Sequence, residues 1–164
     1  MRKPLIIRIA GYSAIVAVIG VAQFFMYGRL AVNFSDSTPH HVYWRRFSVP
    51  PVVGGYASFF RTVPEEDGVR DITKLVACGP GDAFSVKGLE YYCNGRLIAQ
   101  AKLTTRNGIV LRPFMFEGKV PPKMFFALGH SFRQEGGRMV DDSYDSRYFG
   151  FVRFDESWKA VPLL

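Results

Sequence analysis

Apolar residues follow two regimes along this chain. From Leu5 to Tyr27 they run almost unbroken, interrupted by Arg8 and softened by Ser13 and Gln23. A helix needs about 20 predominantly apolar residues to cross the hydrocarbon core. The run therefore predicts one N-terminal transmembrane helix, with Arg8 reaching back to the headgroups. Arg2, Lys3 and Arg8 on the near side predict the N-terminus inside and the rest of the chain exported, with Arg29 opposing slightly. Gly20-Val21-Ala22 would also suit a cleavable signal peptide. The continuation through Phe24-Phe25-Met26-Tyr27 favours a retained anchor instead.

After the anchor the apolar residues come in short runs divided by turn formers, the signature of β-strands. Residues 30–41 read as a loop rich in serine. Val42–Phe47 and Gly55–Arg61 read as strands, punctuated by Pro50-Pro51 and Pro64. Leu75-Val76-Ala77 and Ala83–Val86 flank the turn Gly79-Pro80-Gly81-Asp82. Tyr91–Cys93, Asn94-Gly95 and Arg96–Ala99 predict a hairpin, because Asn-Gly supplies the two positive-φ positions of a type I′ turn. Ile109–Leu111, Met124–Leu128 and Tyr148–Val152 complete the predicted strands, and Gln134 to Val140 reads as a loop. No later segment keeps a helical period over three turns. The expectation is a mainly β, antiparallel fold, a folded sheet or partial barrel. It divides into a cytoplasmic stub and anchor over 1–28 and one exported domain over 29–164.

Composition narrows this further. The aromatic share of 15% favours strands over a helical bundle. The net charge is +7, yet the basic residues are dispersed, with Arg45-Arg46 the one adjacent pair after the anchor. That distribution fits anionic lipid headgroups better than nucleic acid, which would want a clustered basic face. Cys78 and Cys93 are the two cysteines, in a region expected to be oxidising, so a structural disulfide between neighbouring strands is favoured over two buried thiols. Nothing in their surroundings makes a metal site, and no cofactor is called for.

The candidate chemistry is nucleophilic. A serine hydroxyl needs a base. His40 and His41 follow Ser37 too closely, across Pro39, to fold back onto it, and His130 has no evident third member among Asp141, Asp142 and Asp145, which argues against a Ser-His triad. A lysine can serve if burial disfavours its ammonium form. Lys74, at the head of Leu75-Val76-Ala77, is the best-placed lysine, with Lys87 weaker. By itself it also reads as a charge on a strand edge. Ser143, Asp145 and Arg147 by themselves read as a turn with a surface salt bridge, worth under about 1 kcal/mol.

Five blocks follow one another along the chain: Ser37-x-Pro39, Lys74 with Gly79-Pro80-Gly81-Asp82, Asn94-Gly95, Val120-Pro121-Pro122 with Phe125–Gly129, and Ser143-x-Asp145-Ser146-Arg147-Tyr148-Phe149-Gly150. They occur in the order found in type I signal peptidases, and the chain resembles that superfamily over nearly its whole length. The compact Asn33-x-Ser35-x-Ser37-x-Pro39 form is most similar to the TraF-type conjugative-transfer peptidases. Where the family carries Gly-Asp-Asn-Arg, this chain has Gly129-His130-Ser131-Phe132-Arg133.

The resemblance implies a serine–lysine dyad, with Ser37 as nucleophile and Lys74 as general base. Ser35 corresponds to the hydroxyl that helps bind the oxyanion, and Ser143 to the residue orienting the lysine. Asp145 and Arg147 correspond to an ion pair fixing the last loop, and in the conjugative branch the aspartate is also implicated in activity. It further implies an inner-membrane, single-pass enzyme with its catalytic domain in the periplasm. The substrate would be a pilin or other exported precursor, cleaved or cyclised near the bilayer. An autoproteolytic repressor domain of the LexA type shares the chemistry but carries a DNA-binding helix-turn-helix where this chain has an apolar run. The alternative outside catalysis is an anchored β domain scaffolding a pilus or secretion assembly.

Overall fold

The structure, a computed structural model, describes residues 3–34, 37–64, 68–105, 107–129, 133–135, 138–140 and 143–163. The chain divides into two compact units, Met1–Leu30 and Ala31–Leu164. The first is essentially one helix, α1 (Lys3–Met26), 24 residues long. Its described side chains, Tyr12, Ile15, Val16, Phe24 and Phe25 among them, are exposed. Among the described residues no helix is long and apolar enough to cross a membrane. Tyr12, Ser13 and Gln23 interrupt the apolar run within that stretch.

The second unit is antiparallel β, as expected. In chain order its strands are β1 (Leu30–Val32), β2 (Val42–Arg46), β3 (Tyr56–Thr62), β4 (Val69–Cys78), β5 (Ala83–Lys87), β6 (Glu90–Cys93) and β7 (Arg96–Gln100). There follow β8 (Gly118–Lys119), β9 (Met124–Leu128), β10 (Arg133–Glu135), β11 (Arg138–Val140), the short helix α2 (Ser146–Phe149), β12 (Val152–Arg153) and β13 (Ser157–Pro162). A seven-stranded sheet runs β1-β2-β13-β3-β4-β9-β12, a four-stranded sheet runs β7-β6-β5-β8, and β10-β11 form a ribbon. The sheets are open, and no closed barrel forms among the described residues.

Five sequence expectations of secondary structure are corrected, the first being the loop read over 30–41, whose start is the strand β1. Tyr148–Val152 is not one strand: the N-cap Asp145 starts a helical turn instead, and β12 begins only at Val152. Ile109–Leu111 contributes one isolated bridge, Thr104 to Val110, around a turn. The stretch from Gln134 to Val140, read as a loop, is mostly the β10-β11 ribbon. Most consequentially, β4 begins at Val69, so Lys74 lies deep in a strand rather than at its head. Its first three residues are exposed and polar or charged in part, which hid the strand from an apolar-run reading.

Side chains on a strand alternate between faces, and directly paired residues share one. Lys74 therefore shares a face with Ile72, Val76 and its cross-strand partner Ala57. That face carries the core of Ala57, Phe59, Val76, Phe125, Ala127 and Val152. A second core, of Cys78, Phe84, Tyr91, Phe126 and Leu128, lies between the two larger sheets. The turn Asn94-Gly95 has φ values of 50° and 77°, as a type I′ hairpin requires.

Candidate active site

Lys74 is 5% exposed, in a strand whose same-face neighbours are apolar. An ammonium there loses most of its hydration, which burial alone penalises. Its Nζ donates to the Ser143 hydroxyl, from a loop 69 residues further along the chain. Ala57, the residue opposite, is fully buried and contributes only a methyl group, so the lysine stem meets little bulk across the ladder.

The loop after Ser143 is held by a buried ion pair. Asp145 caps α2: its side chain accepts from the Arg147 backbone N–H at 3.1 Å, while its two oxygens accept from Arg147 Nε and Nη2, each at 2.8 Å. Asp145 also accepts from the Gly129 N–H at 2.9 Å. The remaining guanidinium donors reach the carbonyls of Gln100, at 2.8 Å, and Ser143, at 2.9 Å. Both residues are at 0% exposure, so the surface salt bridge read from sequence is instead a buried network. Ser146 accepts from the Ala127 N–H at 2.9 Å. Asp145 and Ser146 thus satisfy N–H groups of β9 and its end that no ladder strand reaches, and α2 docks on the sheet through side chains. Gly150 closes α2 at φ 79°, where a Cβ would lie 3.0 Å from the Phe114 ring. Tyr91, buried beneath, donates to the carbonyls of Arg147 and Phe114 at 2.8 and 3.0 Å.

Ser37 and Thr38 are buried in the turn between β1 and β2. The Asn33 N–H donates to the His41 carbonyl at 2.8 Å, and the His41 ring Nδ1 meets the Asn33 carbonyl at 3.0 Å, closing the base of the turn. Inside it the Asn33 amide donates to Thr38 Oγ1 at 2.5 Å, and that hydroxyl donates to the His40 carbonyl at 2.9 Å. The His40 ring stands edge-on to Tyr43 and Tyr56. Burial pushes the Tyr43 phenol above its ordinary range, with the Thr38 hydroxyl pulling the other way. Ser35 and His130 lie outside the described residues.

Residues 9–158 match the family described as signal peptidase, peptidase S26. The chain belongs to the S26 signal peptidase family. It is accordingly a serine protease of the signal peptidase kind. A solved structure of a signal peptidase I from Enterococcus faecalis is 22% identical, covering 71% of this chain and 98% of its own, with a TM-score of 0.40. No curated protein matches.

In this signal peptidase Cys78 and Cys93 form a disulfide with Cα atoms 5.9 Å apart. It joins the end of β4 to the end of β6, and so ties the two sheets together, not neighbouring strands of one sheet. Asp82 lies beside it, accepting from the Gly79 N–H and the Asn94 amide. Although Cys78, Asp82 and Cys93 group their ligand atoms within 4.8 Å, both sulfurs are committed to the bridge.

Sequence reasoning passed over Tyr91, Gln100, Thr38 and the backbone duty of Ser146. Tyr91 and Gln100 act from the second sheet and no local pattern marks them. Asp145-Ser-Arg could have been read as an N-cap, because aspartate before a short turn is a strong helix start.

Proposed function

We propose that this signal peptidase cuts exported precursors near the bilayer with Ser37 as nucleophile and Lys74 as general base. The observation that carries the reading is the buried Lys74 amine hydrogen-bonded to Ser143, whose backbone is itself held by Arg147. A lysine acts as base only in its neutral form, and a site lined by Ile72, Val76 and Ala57 favours that form. Neutral Lys74 takes the Ser37 proton as Oγ attacks the scissile carbonyl. Ser35 and the Ser37 N–H stabilise the oxyanion. The protonated lysine returns the proton to the leaving amine, and water then releases the acyl chain. Ser143 orients the amine, and Asp145 with Arg147 holds Ser143.

The substrate is a pilin precursor or another exported preprotein, bound extended along a sheet edge. In the pilin case the acyl-enzyme is captured by the pilin's own amine, which closes a circle. The apolar run from Leu5 to Tyr27 supports α1, 24 residues and about 36 Å long, as the anchor. The basic residues at 2, 3 and 8 support a periplasmic catalytic domain.

The test is precursor processing by Ser37→Ala and Lys74→Ala, with a serine-directed acylating probe as the second readout. Both variants are expected to lose processing, and Ser37→Ala to lose labelling. Near wild-type turnover in either sinks the assignment. Weighing the product separates the two outcomes of the acyl-enzyme, because a circle is lighter than the trimmed linear chain by one water.

A further inference from the structure

Three consecutive side chains at the start of the α2 loop go to three different places. Ser143 meets Lys74, Asp145 enters the buried ion pair, and Tyr144 between them joins neither. Its ring stacks on Tyr148, centroids 5.6 Å apart and planes 4° from parallel, and meets Phe149 edge-on at 5.6 Å. With Asp145 as N-cap, Tyr144 is the residue just before the cap and Phe149 the fourth of the helix. That pairing is a hydrophobic staple, which sets the angle at which a chain runs into its helix.

The platform beneath the ring is itself tied down. The Tyr148 hydroxyl accepts from the Lys102 N–H at 3.0 Å, and Phe149 packs on Phe59, a core residue of the Lys74 face, at 5.9 Å. We infer that Tyr144 is a positioning residue: its staple sets the direction of the chain before α2 and thereby aims the Ser143 hydroxyl at the Lys74 amine.

The inference rests on Lys74 as base. Hydrogen bonds weaken steeply with misalignment, so a small rotation of Ser143 would release the amine. An amine released from Ser143 is freer to meet water, which favours the ammonium form and shifts the base function to higher pH. A ring that merely fills space would change stability and leave the titration of the base alone.

The experiment measures kcat and KM against pH for the full-length protein in detergent. The probe is a fluorogenic peptide with small residues on the acyl side of the scissile bond. Tyr144→Ala should lower kcat by roughly ten- to a hundredfold with KM little changed. The acidic limb of its kcat/KM profile should move to higher pH. Tyr144→Phe keeps the ring and should restore both. Tyr144→Leu, which retains an apolar contact, serves the same comparison if the alanine variant does not fold. An unmoved limb in a folded Ala or Leu variant, whatever its thermal midpoint, overturns the inference. Lys74→Ala run in parallel separates the two readings: turnover there refutes the base itself, whereas inactivity there with an unmoved limb refutes only the staple.

Discussion

Lys74 and Arg147 are both basic side chains withdrawn from water, and the structure holds them through different groups. Arg147 meets a carboxylate through two donors and spreads others over two carbonyls, an arrangement that holds its charge in place. Guanidinium does not deprotonate in a protein, so this cation cannot act as a base. Lys74 meets a hydroxyl, and an amine bonded to a hydroxyl keeps a useful hydrogen bond in either protonation state. The carboxylate fixes the guanidinium charge, whereas the bond between Lys74 and Ser143 survives loss of the amine's charge. The two are linked through Ser143, whose carbonyl accepts from Arg147 and whose hydroxyl accepts from Lys74, so the buried ion pair braces the residue that meets the lysine.

The largest effect expected from breaking this contrast is on rate. Lys74→Ala and Lys74→Arg should each lower processing by roughly 10³- to 10⁶-fold, with the thermal transition largely kept. Lys74→Arg is the sharper variant, because it preserves charge and removes the ability to act as base. Appreciable cleavage by it would erase the distinction between the two cations.

Next in size is the structural cation. Arg147→Ala leaves Asp145 buried without its guanidinium and should cost about 3–5 kcal/mol by chemical denaturation. Adding Asp145→Ala to it should cost far less than the sum of the single losses, since the two side chains act as one unit. Full additivity would mean the pair is not coupled. Reduction of Cys78–Cys93, separated by 15 residues, should lower stability by about 3 kcal/mol. A denaturation midpoint indifferent to reductant would detach the bridge from the cohesion of the two sheets.

The smallest effect is a pH dependence under the Arg147 loop. Tyr91 is raised above its ordinary range, chiefly by burial, with Tyr148 adding to the shift and Arg147 opposing it. A raised phenol favours the neutral form in the fold. Its stabilising contribution is therefore complete below the unfolded value of about 10 and is lost as pH climbs above it, where the unfolded chain has released a proton the fold retains. Tyr91→Phe should lower stability at neutral pH, through the two carbonyls left without its hydroxyl, and flatten the alkaline loss. An alkaline slope equal to that of the parent would assign the loss to other groups.

Much of the architecture was legible from residue order. Asn94-Gly95 dictates its turn locally, through two backbone conformations that few other residues adopt, and the hairpin follows. The short β-rich runs specify an antiparallel fold because each contains enough local signal. The Ser143–Gly150 block was legible as a motif, through resemblance, although its helical turn was hidden behind the apolar string Tyr148–Val152. Strands β4 and β13 were only partly visible or missed, because Arg70, Asp71 and Lys159 break the apolar alternation while the backbone still pairs along its length.

The sequence alone marked candidate residues for the chemistry: a serine turn, a lysine beside apolar strand residues, and an acidic–basic pair near the end. Hydroxyl, amine and carboxylate chemistry travels with residue type, and hairpins are decided within a few residues. The tertiary structure alone decided that Lys74 faces a core, that its amine reaches a hydroxyl 69 residues away, and that Asp145 and Arg147 are excluded from water. Burial is set by what packs against a residue from elsewhere in the chain, so no local window contains it.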